Sequence, residues 1–205
     1  RQRQMCIRDS SRSVSDDIRD DLETMELNTN RLLDLVNQLL DFRKTETQGF
    51  QLNFVECDVS ELLQKTYKRF KPLARERGLA LSIETPESLY ASVDREGLTK
   101  IISNLLTNAI KYSETYIRIR LYSEGERLLL SVCNDGLVIP VEMREEIFKP
   151  FIQYKTGTLR SVPGTGIGLA LARSLAELHE GTLCMEDSME NNCFLLSLPL
   201  KHEQT

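Results

Sequence analysis

The apolar residues between positions 13 and 44 recur at helical spacing and predict one long helix. Ser13 and Ser15 are candidate N-caps, and acidic residues follow them in the first turns. The apolar stripe consists of Leu22, Met25, Thr29, Leu32, Leu33, Val36, Leu39, Leu40 and Phe42. Because a helix of this length cannot bury its stripe alone, we expect it to pack against another helix or a second subunit.

After residue 50 the pattern alternates between the strand period and the helix period. The segments with strand patterns are 51–55, 79–86, 115–123, 127–133, 182–187 and 193–198, and those with helix patterns are 58–78, 95–112, 141–148 and 167–180. Pro72 should kink the helix over 58–78 or lie near its end. This order predicts an α+β fold, a two-layer α/β sandwich whose mixed sheet is covered on one face by helices and preceded by the long helix.

Helix boundaries are marked by residues that satisfy free backbone groups. Asp58 and Glu61 have the spacing of a capping box, Asp94 should cap the helix over 95–112, and Gly78 is a candidate C-cap. Within 95–112, four polar residues, Lys100, Asn104, Asn108 and Lys111, lie on one stripe at about 100° per residue. Taken alone, this stripe is explained by a solvent-facing side of an amphipathic helix.

The composition excludes some classes of partner. The chain has 205 residues, 40% of them hydrophobic, with a net charge of −5. This charge disfavours nucleic acid and anionic membrane surfaces as partners, and no apolar run approaches the roughly 18 residues of a membrane span. The segment "MCIRDS" resembles one reading frame of a sequencing adapter, so residues 1–12 are expected to be a non-native or disordered leader.

Cysteine and histidine usage gives no indication of a metal site. The five cysteines, Cys6, Cys57, Cys133, Cys184 and Cys193, are odd in number and contain no CxxC spacing. We interpret them as free thiols in a reducing compartment. The histidines are His179 and His202, too few for a metal-ligand cluster in this pattern.

The strongest local motif is "GTGIGLAL", which places Gly164, Gly166 and Gly168 directly before a helix. Glycines let the backbone approach a ligand, and the free amides of a helix start suit a phosphate. The preceding long polar loop, 152–166, disfavours a Rossmann fingerprint, and a Walker motif would need a Lys-Ser/Thr pair. The alternative is a flexible loop that only caps a helix.

Two further motifs are weak when taken separately. "VCNDGLVIP" ends a strand with Asn134 and Asp135, whose oxygens are acceptors suited to an adenine amine, although Asn-Asp-Gly is also a common turn. "EEIFKPF" places Phe148 and Phe151 at the start of the long loop, where a hydrophobic anchor is the simpler interpretation.

In combination and order, these motifs strongly resemble the catalytic ATP-binding domain of sensor histidine kinases, in the wider Bergerat-type ATPase superfamily. The resemblance covers about residues 50–200. Residues 13–48, with "LLDLVNQLLDFRKTE", resemble the second helix of the dimerisation and phosphotransfer domain, and 201–205 form a tail. The resemblance implies ATP and Mg²⁺ as cofactors, homodimerisation through the N-terminal helix and a response-regulator receiver as partner. It also implies a cytoplasmic location within a membrane-anchored sensor.

The resemblance assigns roles to particular residues. Asn108 matches the asparagine whose oxygen ligates Mg²⁺ between the phosphates, and Lys111 matches the basic residue near them. Asn104 takes the place of a glutamate that activates water in hydrolytic relatives, and an amide is a poor base, so Asn104 favours phosphoryl transfer over hydrolysis. We therefore assign Asn104 and Lys111 as catalytic. The implied nucleotide-binding set is Asn104, Asn108, Lys111, Tyr112, Asn134, Asp135, Gly136, Ile139, Phe148, Phe151, Lys155, Gly164, Thr165, Gly166, Ile167, Gly168 and Leu169, with Arg160 a further lid residue within reach of the γ-phosphate.

Three departures from the family pattern stand out. Asn134 takes the place of the family's adenine-reading aspartate, with Asp135 as a neighbouring substitute, and Val138 takes the place of a glycine. No stretch like the phosphoacceptor motif "H-E-x-R-x-P" is present, and His179 is expected to be a surface or cap residue. We therefore expect nucleotide binding without autophosphorylation of this chain. The alternatives are a degenerate kinase that serves as a nucleotide-independent binding or dimerisation module, and an anti-sigma serine kinase of the same superfamily, which the long N-terminal helix disfavours.

Overall fold

The protein is described by a computed structural model covering residues 2–46, 51–153, 164–187 and 190–201. The chain divides into two compact units, Arg1–Leu40 and Asp41–Thr205. In the described part of the chain, no helix has the length and apolar content that crossing a membrane requires.

The N-terminal unit lies within helix α1 (Gln2–Glu46), whose last residues enter the second unit. The predicted start at Ser13 was wrong, because the helix already begins at Gln2 and includes the segment expected to be a disordered leader. Whether that leader is native stays untested. Among the side chains described in this unit, Leu35 and Leu39 are half-buried. The exposed large apolar side chains are Ile18, Leu22, Met25, Leu32, Leu33, Val36 and Leu40.

The second unit is built on a five-stranded mixed sheet of order β2-β4-β5-β7-β6, as predicted for the fold class. Its strands are β2 (Ala80–Glu84), β4 (Tyr116–Glu124), β5 (Arg127–Asn134), β6 (Thr182–Met185) and β7 (Asn192–Pro199). Strand β2 pairs in parallel with β4, and the other neighbours are antiparallel. Two further strands, β1 (Phe54–Asp58) and β3 (Tyr90–Asp94), form a separate antiparallel pair.

The helices α2 (Val59–Glu76), α3 (Arg95–Tyr112) and α4 (Gly168–Leu178) pack on the sheet. Helix α3 contacts β5, α2 and α4, and its apolar face forms part of the buried core. Its apolar side chains Ile101, Ile102, Leu105 and Leu106 are all 0% exposed. The helical spacing of these residues predicted this face, and their burial fixes the orientation of the polar stripe on the same helix.

The predicted N-caps Asp58 and Asp94 are confirmed, whereas Ser13 and Ser15 lie inside α1 and are not caps. The C-cap residue of α2 is Arg77, and the predicted Gly78 is the residue after it. The Asp58 carboxylate accepts hydrogen bonds from the amides of Ser60 and Glu61. The Asp94 carboxylate accepts one from the amide of Gly97, and Gly78 follows α2 with a φ of +71°. These contacts satisfy amides that have no partner inside the helix.

Two local predictions were wrong. Strand β3 was missed, because its five residues end in the Asp94 cap and carry only a short alternation. The segment predicted as a helix over 141–148 forms two 3₁₀ turns, Val141–Met143 and Glu146–Phe148. The prediction for Pro72 is borne out in one of its two forms, because Pro72 lies in the last turn and a half of α2, which ends at Glu76.

The interpretation of the cysteines as free thiols is corrected at two positions. Cys133 on β5 and Cys193 on β7 face each other across the antiparallel pair and form a disulfide. Cys57 and Cys184 are free thiols. Sequence spacing could not reveal this pair, because its 60-residue separation is closed only by the pairing of β5 with β7.

Reduction of Cys133–Cys193 should destabilise the oxidised protein. For a sequence separation of 60 residues, closure of the unfolded chain accounts for at most about 4 kcal/mol of the free energy of unfolding. Thermal unfolding with and without reductant measures the difference. A Cys57→Ser, Cys184→Ser double variant should keep the response and a Cys133→Ser variant should lose it; equal melting temperatures in both redox states would contradict the pairing.

Candidate functional site

The polar stripe of α3 lies against the glycine segment that precedes α4. A Cβ atom added at Gly164 would lie 2.4 Å from the Lys111 Nζ, and one added at Gly168 would lie 3.0 Å from the Asn104 Oδ1. Asn104, Asn108 and Lys111 are only partly exposed. The structure therefore brings together two motifs some 50 residues apart in sequence, as the resemblance implied, and it contradicts the simple solvent-facing interpretation of the stripe.

Three of the four side chains on this stripe, those of Asn104, Asn108 and Lys111, are available to a ligand. Within the described part of the chain, the side-chain amides of Asn104 and Asn108 make no hydrogen bond. Lys111 has no ion pair among the described residues; its Nζ lies 4.7 Å from the centroid of the Tyr112 ring. Partly exposed side-chain amides and an ammonium that have no hydrogen-bond or ion-pair partner among the described residues are suited to phosphate oxygens and a hard cation.

Lys100 is the exception on the stripe. Its Nζ lies 2.9 Å from a carboxylate oxygen of Asp41 and 2.9 Å from one of Glu96. Desolvation acts to lower the pKa of Lys100, but the hydrogen bonds to the two carboxylates outweigh it and the pKa is raised. Lys100 therefore has a structural role, in keeping with the absence of any role for it in the resemblance.

The start of α4 presents unfilled backbone donors to the same region. The helix begins at Gly168, and no side chain in the described ranges of the chain caps it. One residue earlier, the Ile167 amide donates to the Thr165 hydroxyl over 3.2 Å. The amides of the first helical turn carry the positive end of the helix dipole, which favours an anion at this position.

The loop that joins Phe151 to Gly166 is closed at its base. The Phe151 amide donates to the Gly166 carbonyl over 2.8 Å, and the Gln153 side-chain amide donates to the Gly164 carbonyl over 2.6 Å. Gly166 has a φ of +71°, and a Cβ there would lie 2.8 Å from the backbone of Phe151. Lys155 and Arg160 lie outside the described residues, so their predicted roles stay predictions.

The two phenylalanines differ in environment. Phe148 is buried, with its ring edge-to-face with Phe194 and the Arg173 guanidinium 4.8 Å from its centroid. Phe151 is 64% exposed. The structure thus supports the anchor interpretation for Phe148 and leaves Phe151 as the one available to a ligand.

Asp135 is committed to a structural role. Its carboxylate accepts hydrogen bonds from the backbone amides of Glu114, Thr115 and Tyr116 and from the Thr115 hydroxyl. Desolvation acts to raise the pKa of Asp135, but these hydrogen bonds outweigh it and lower the pKa to about 2. Asp135 therefore fixes the loop between α3 and β4, which disfavours it as a substitute for Asn134.

The turn after β5 is held by Asn192, which the sequence analysis missed. The Asn192 Oδ1 accepts from the Ile139 amide at 2.8 Å, and its Nδ2 donates to the carbonyls of Leu137 at 2.9 Å and Gly136 at 3.3 Å. Asn192 is the β7 residue paired in register with Asn134. No sequence signal could have found it, because the contact depends on the β5–β7 pairing.

Asn134 itself lies at the end of β5 and is 2% exposed. Its Nδ2 is buried and has no hydrogen-bond partner among the described residues. The turn beyond it is tightly packed, since a Cβ at Gly136 would lie 1.9 Å from the Tyr112 carbonyl oxygen at the end of α3. A buried unsatisfied amide is costly, and a ligand is one way to satisfy it.

His179 is the C-cap residue of α4, as predicted, but it is not on the surface. It is 0% exposed, and its Nδ1 donates to the Leu175 carbonyl while its Nε2 accepts from the Asp94 amide at 3.1 Å. An Nε2 that accepts from an amide carries no proton. His179 therefore joins the end of α4 to the start of α3 and is not accessible as a phosphoacceptor.

Comparison with known proteins decides the family. Residues 93–202 match the family described as histidine kinase-, DNA gyrase B-, and HSP90-like ATPases. The chain belongs to this ATPase family. Family membership implies nucleotide binding, and the matched residues contain α3, the turn after β5 and the glycine segment.

Within this ATPase family, the chain is similar to sensor histidine kinases. It is 34% identical over 87% of its length to the sensor histidine kinase TmoS of Ectopseudomonas mendocina. The catalytic domain of histidine kinase ThkA superposes with a TM-score of 0.65 at 28% identity, covering 73% of this chain and 97% of that domain. ThkA in complex with the response regulator TrrA superposes with a TM-score of 0.69 at 25% identity, covering 84% of this chain and 48% of the other. The chain spans between 13% and 30% of the length of four curated relatives.

Substitutions at Gly136 and Gly164 should change the free energy of unfolding by different amounts, because an added Cβ meets rigid backbone at Gly136 and a movable side chain at Gly164. Gly136→Ala should lower the free energy of unfolding by roughly 2–4 kcal/mol, because its Cβ meets backbone that cannot move away. Gly164→Ala should change it by less than about 0.5 kcal/mol, because only the end of the Lys111 side chain must shift. Urea unfolding measures both values, and equal losses would contradict the packing described.

The Asp135 hydrogen bonds should make stability depend on pH in acid. Because the folded-state pKa of about 2 lies below the ordinary value of 3.8, the carboxylate stabilises the fold above pH 3.8, and this contribution is lost as the pH falls toward 2. Asp135→Asn should remove that part of the acid response in urea unfolding. Glu126→Gln, at an exposed carboxylate, should leave it unchanged; an unaltered acid profile in the Asp135 variant would contradict the assignment.

Proposed function

We propose that residues 50–200 form the ATP-binding catalytic domain of a two-component sensor histidine kinase. The domain binds ATP with Mg²⁺ between α3 and the glycine segment and donates the γ-phosphoryl group to a histidine, from which it passes to a response-regulator aspartate. The observation that carries this proposal is the position of Asn104 and Lys111 against Gly168 and Gly164.

The residues fit a nucleotide with its metal. Asn108 supplies an amide oxygen, a ligand type that Mg²⁺ accepts, and it has no competing partner among the described residues. Lys111 supplies a positive charge beside Gly164, and the uncapped start of α4 supplies backbone amides. Bound Mg²⁺ would neutralise charge on the phosphates, while the protein orients them.

Asn104 distinguishes the class of reaction. It lies beside Gly168 in the position where hydrolytic relatives carry a water-activating glutamate. Because an amide does not remove a proton from water, the site favours transfer to a protein acceptor over hydrolysis. The acceptor would be a histidine on a dimerisation domain to which α1 contributes.

The wider assembly follows from the same proposal. The exposed apolar side chains of α1 would be buried in a homodimer, as in two-helix dimerisation domains. A response-regulator receiver domain is the proposed second partner, since the structurally similar ThkA was solved with TrrA. The proposed location is the cytoplasmic side of a membrane-anchored sensor, without nucleic acid or membrane contact by this domain.

In one alternative, the protein has the same fold but no kinase activity. Asn134 and Val138 replace an aspartate and a glycine of the family pattern, which favours a degenerate kinase serving as a nucleotide-independent binding or dimerisation module. The two proposals differ in whether ATP binds at all.

Calorimetric titration with ATP tests the proposal through Asn108. In the presence of Mg²⁺, Asn108→Ala should weaken ATP binding by about tenfold or more, corresponding to a lost metal ligand. With EDTA the variant and the original chain should bind alike. Thr107→Ala, an exposed neighbour on the same helix, is the matched control and should bind as the original chain does. Absence of any binding heat with Mg²⁺ and ATP would favour the degenerate module.

A further inference from the structure

Two buried asparagines, Asn134 and Asn192, face each other in register at the end of the β5–β7 pair. Among the described residues, the side-chain nitrogen of Asn192 has hydrogen-bond partners and that of Asn134 has none. Asn192 makes three hydrogen bonds with the backbone of residues 136–139. Asn134 is 2% exposed, and its Nδ2 has no partner among the described residues. Since buried amides are nearly always paired, the contrast points to a ligand that completes the hydrogen bonding of Asn134.

The strand alternation places Asn134 on the helix-covered face of the sheet. Leu128, Leu130 and Val132, at every second position before it, are at most 1% exposed. The helix that packs on this face of β5 is α3, which carries Asn108 and Lys111. The side-chain amide of Asn134 therefore lies on the α3 side of the sheet, where the proposed nucleotide binds.

The close packing at Gly136 shows where the side-chain amide of Asn134 lies relative to α3. A Cβ at Gly136 would lie 3.0 Å from the Asn134 Nδ2 and 1.9 Å from the Tyr112 carbonyl oxygen. The free amide is thus close to the end of α3 that bears Lys111. Asp135 cannot take its place, because its carboxylate is occupied by the amides of residues 114–116.

We propose that Asn134 reads the six-position edge of the purine in either of two orientations, so that the site accepts 6-oxopurine as well as 6-aminopurine nucleoside triphosphates. This inference rests on the proposed function, since it concerns the base of the nucleotide bound at that site.

The reason is that a carboxamide carries one acceptor and one donor side by side. Toward adenine, the Oδ1 accepts from the 6-amine and the Nδ2 donates to N1. Rotation of the amide by 180° about χ2 reverses the pair, so the Nδ2 donates to a 6-carbonyl and the Oδ1 accepts from N1–H. A carboxylate at the same position only accepts, so it would favour the 6-amine and repel a 6-carbonyl oxygen.

Inosine triphosphate is the suitable probe. It has the 6-carbonyl and N1–H of guanine but lacks the 2-amine, so a steric effect of that amine does not enter the comparison. The dissociation constants of ATP and inosine triphosphate for the original chain, measured by calorimetry with Mg²⁺, should agree within about fivefold.

Asn134→Asp should then create selectivity. The ratio of the two dissociation constants should shift in favour of ATP by about tenfold or more. The carboxylate still accepts a hydrogen bond from the 6-amine of ATP, but it repels the 6-carbonyl oxygen of inosine triphosphate. Asn192→Asp makes the same chemical change at the cross-strand partner, and its ratio should stay within about threefold of the original, whatever its effect on overall affinity.

Asn134→Ala keeps the inference testable should the buried carboxylate prevent folding, which thermal unfolding would reveal. Loss of the amide should weaken binding of both nucleotides by similar factors of about five or more. Unchanged affinities in this variant would overturn the assignment of Asn134 to the base.

The experiment distinguishes failure of the proposed function from failure of the inference about Asn134. If the original chain binds neither nucleotide, the proposed function itself fails. If it binds ATP but discriminates against inosine triphosphate by more than about a hundredfold, the proposed function stands and the inference about Asn134 is overturned. An unchanged ratio in a folded Asn134→Asp variant would also overturn it.

Discussion

The site depends on one constraint, the complete burial of the apolar face of α3. Ile101, Ile102, Leu105 and Leu106 have no exposed surface, so the helix cannot rotate about its axis without opening the core. With that face fixed on the sheet, Asn104, Asn108 and Lys111 are directed away from it. The position of the polar stripe is therefore a consequence of hydrophobic packing, and the glycine segment only has to leave space beside it.

A second set of contacts holds the other end of the candidate site. Asp135 binds the backbone after α3, and Asn192 binds the backbone after β5, so the two sides of the turn are fixed from different elements. Gly136 allows the turn to approach the Tyr112 carbonyl at a distance that no side chain would permit. Between these contacts Asn134 is buried, and its Nδ2 has no hydrogen-bond partner in the described part of the chain. An arrangement of this kind costs stability and is typical of binding sites.

The elements with strong periodicity were predicted well. Helix α3, helix α4 and the β4–β5 hairpin follow from apolar spacing and from the cap at Asp94, because these signals are local. Strand β3 and the 3₁₀ turns over 141–148 were predicted wrongly, because segments of three to five residues contain too little pattern to outweigh tertiary contacts. His179 shows the same limit, since its place at a helix end was predicted but its burial beneath Asp94 and Phe54 was not.

By itself, the sequence determined the class of the fold, the apolar and polar faces of α3 and the presence of a glycine segment fit for phosphate, since each depends on residues within a few turns of one another. Only the tertiary structure decided which side chains are available. It committed Asp135, Asn192, Lys100 and Phe148 to structural contacts and paired Cys133 with Cys193. It left the Asn134 Nδ2 without a hydrogen-bond partner among the residues it describes. The physical reason is that these contacts join residues distant in sequence. They depend on the pairing of β5 with β7 and on the packing of α3, and no local sequence pattern encodes either.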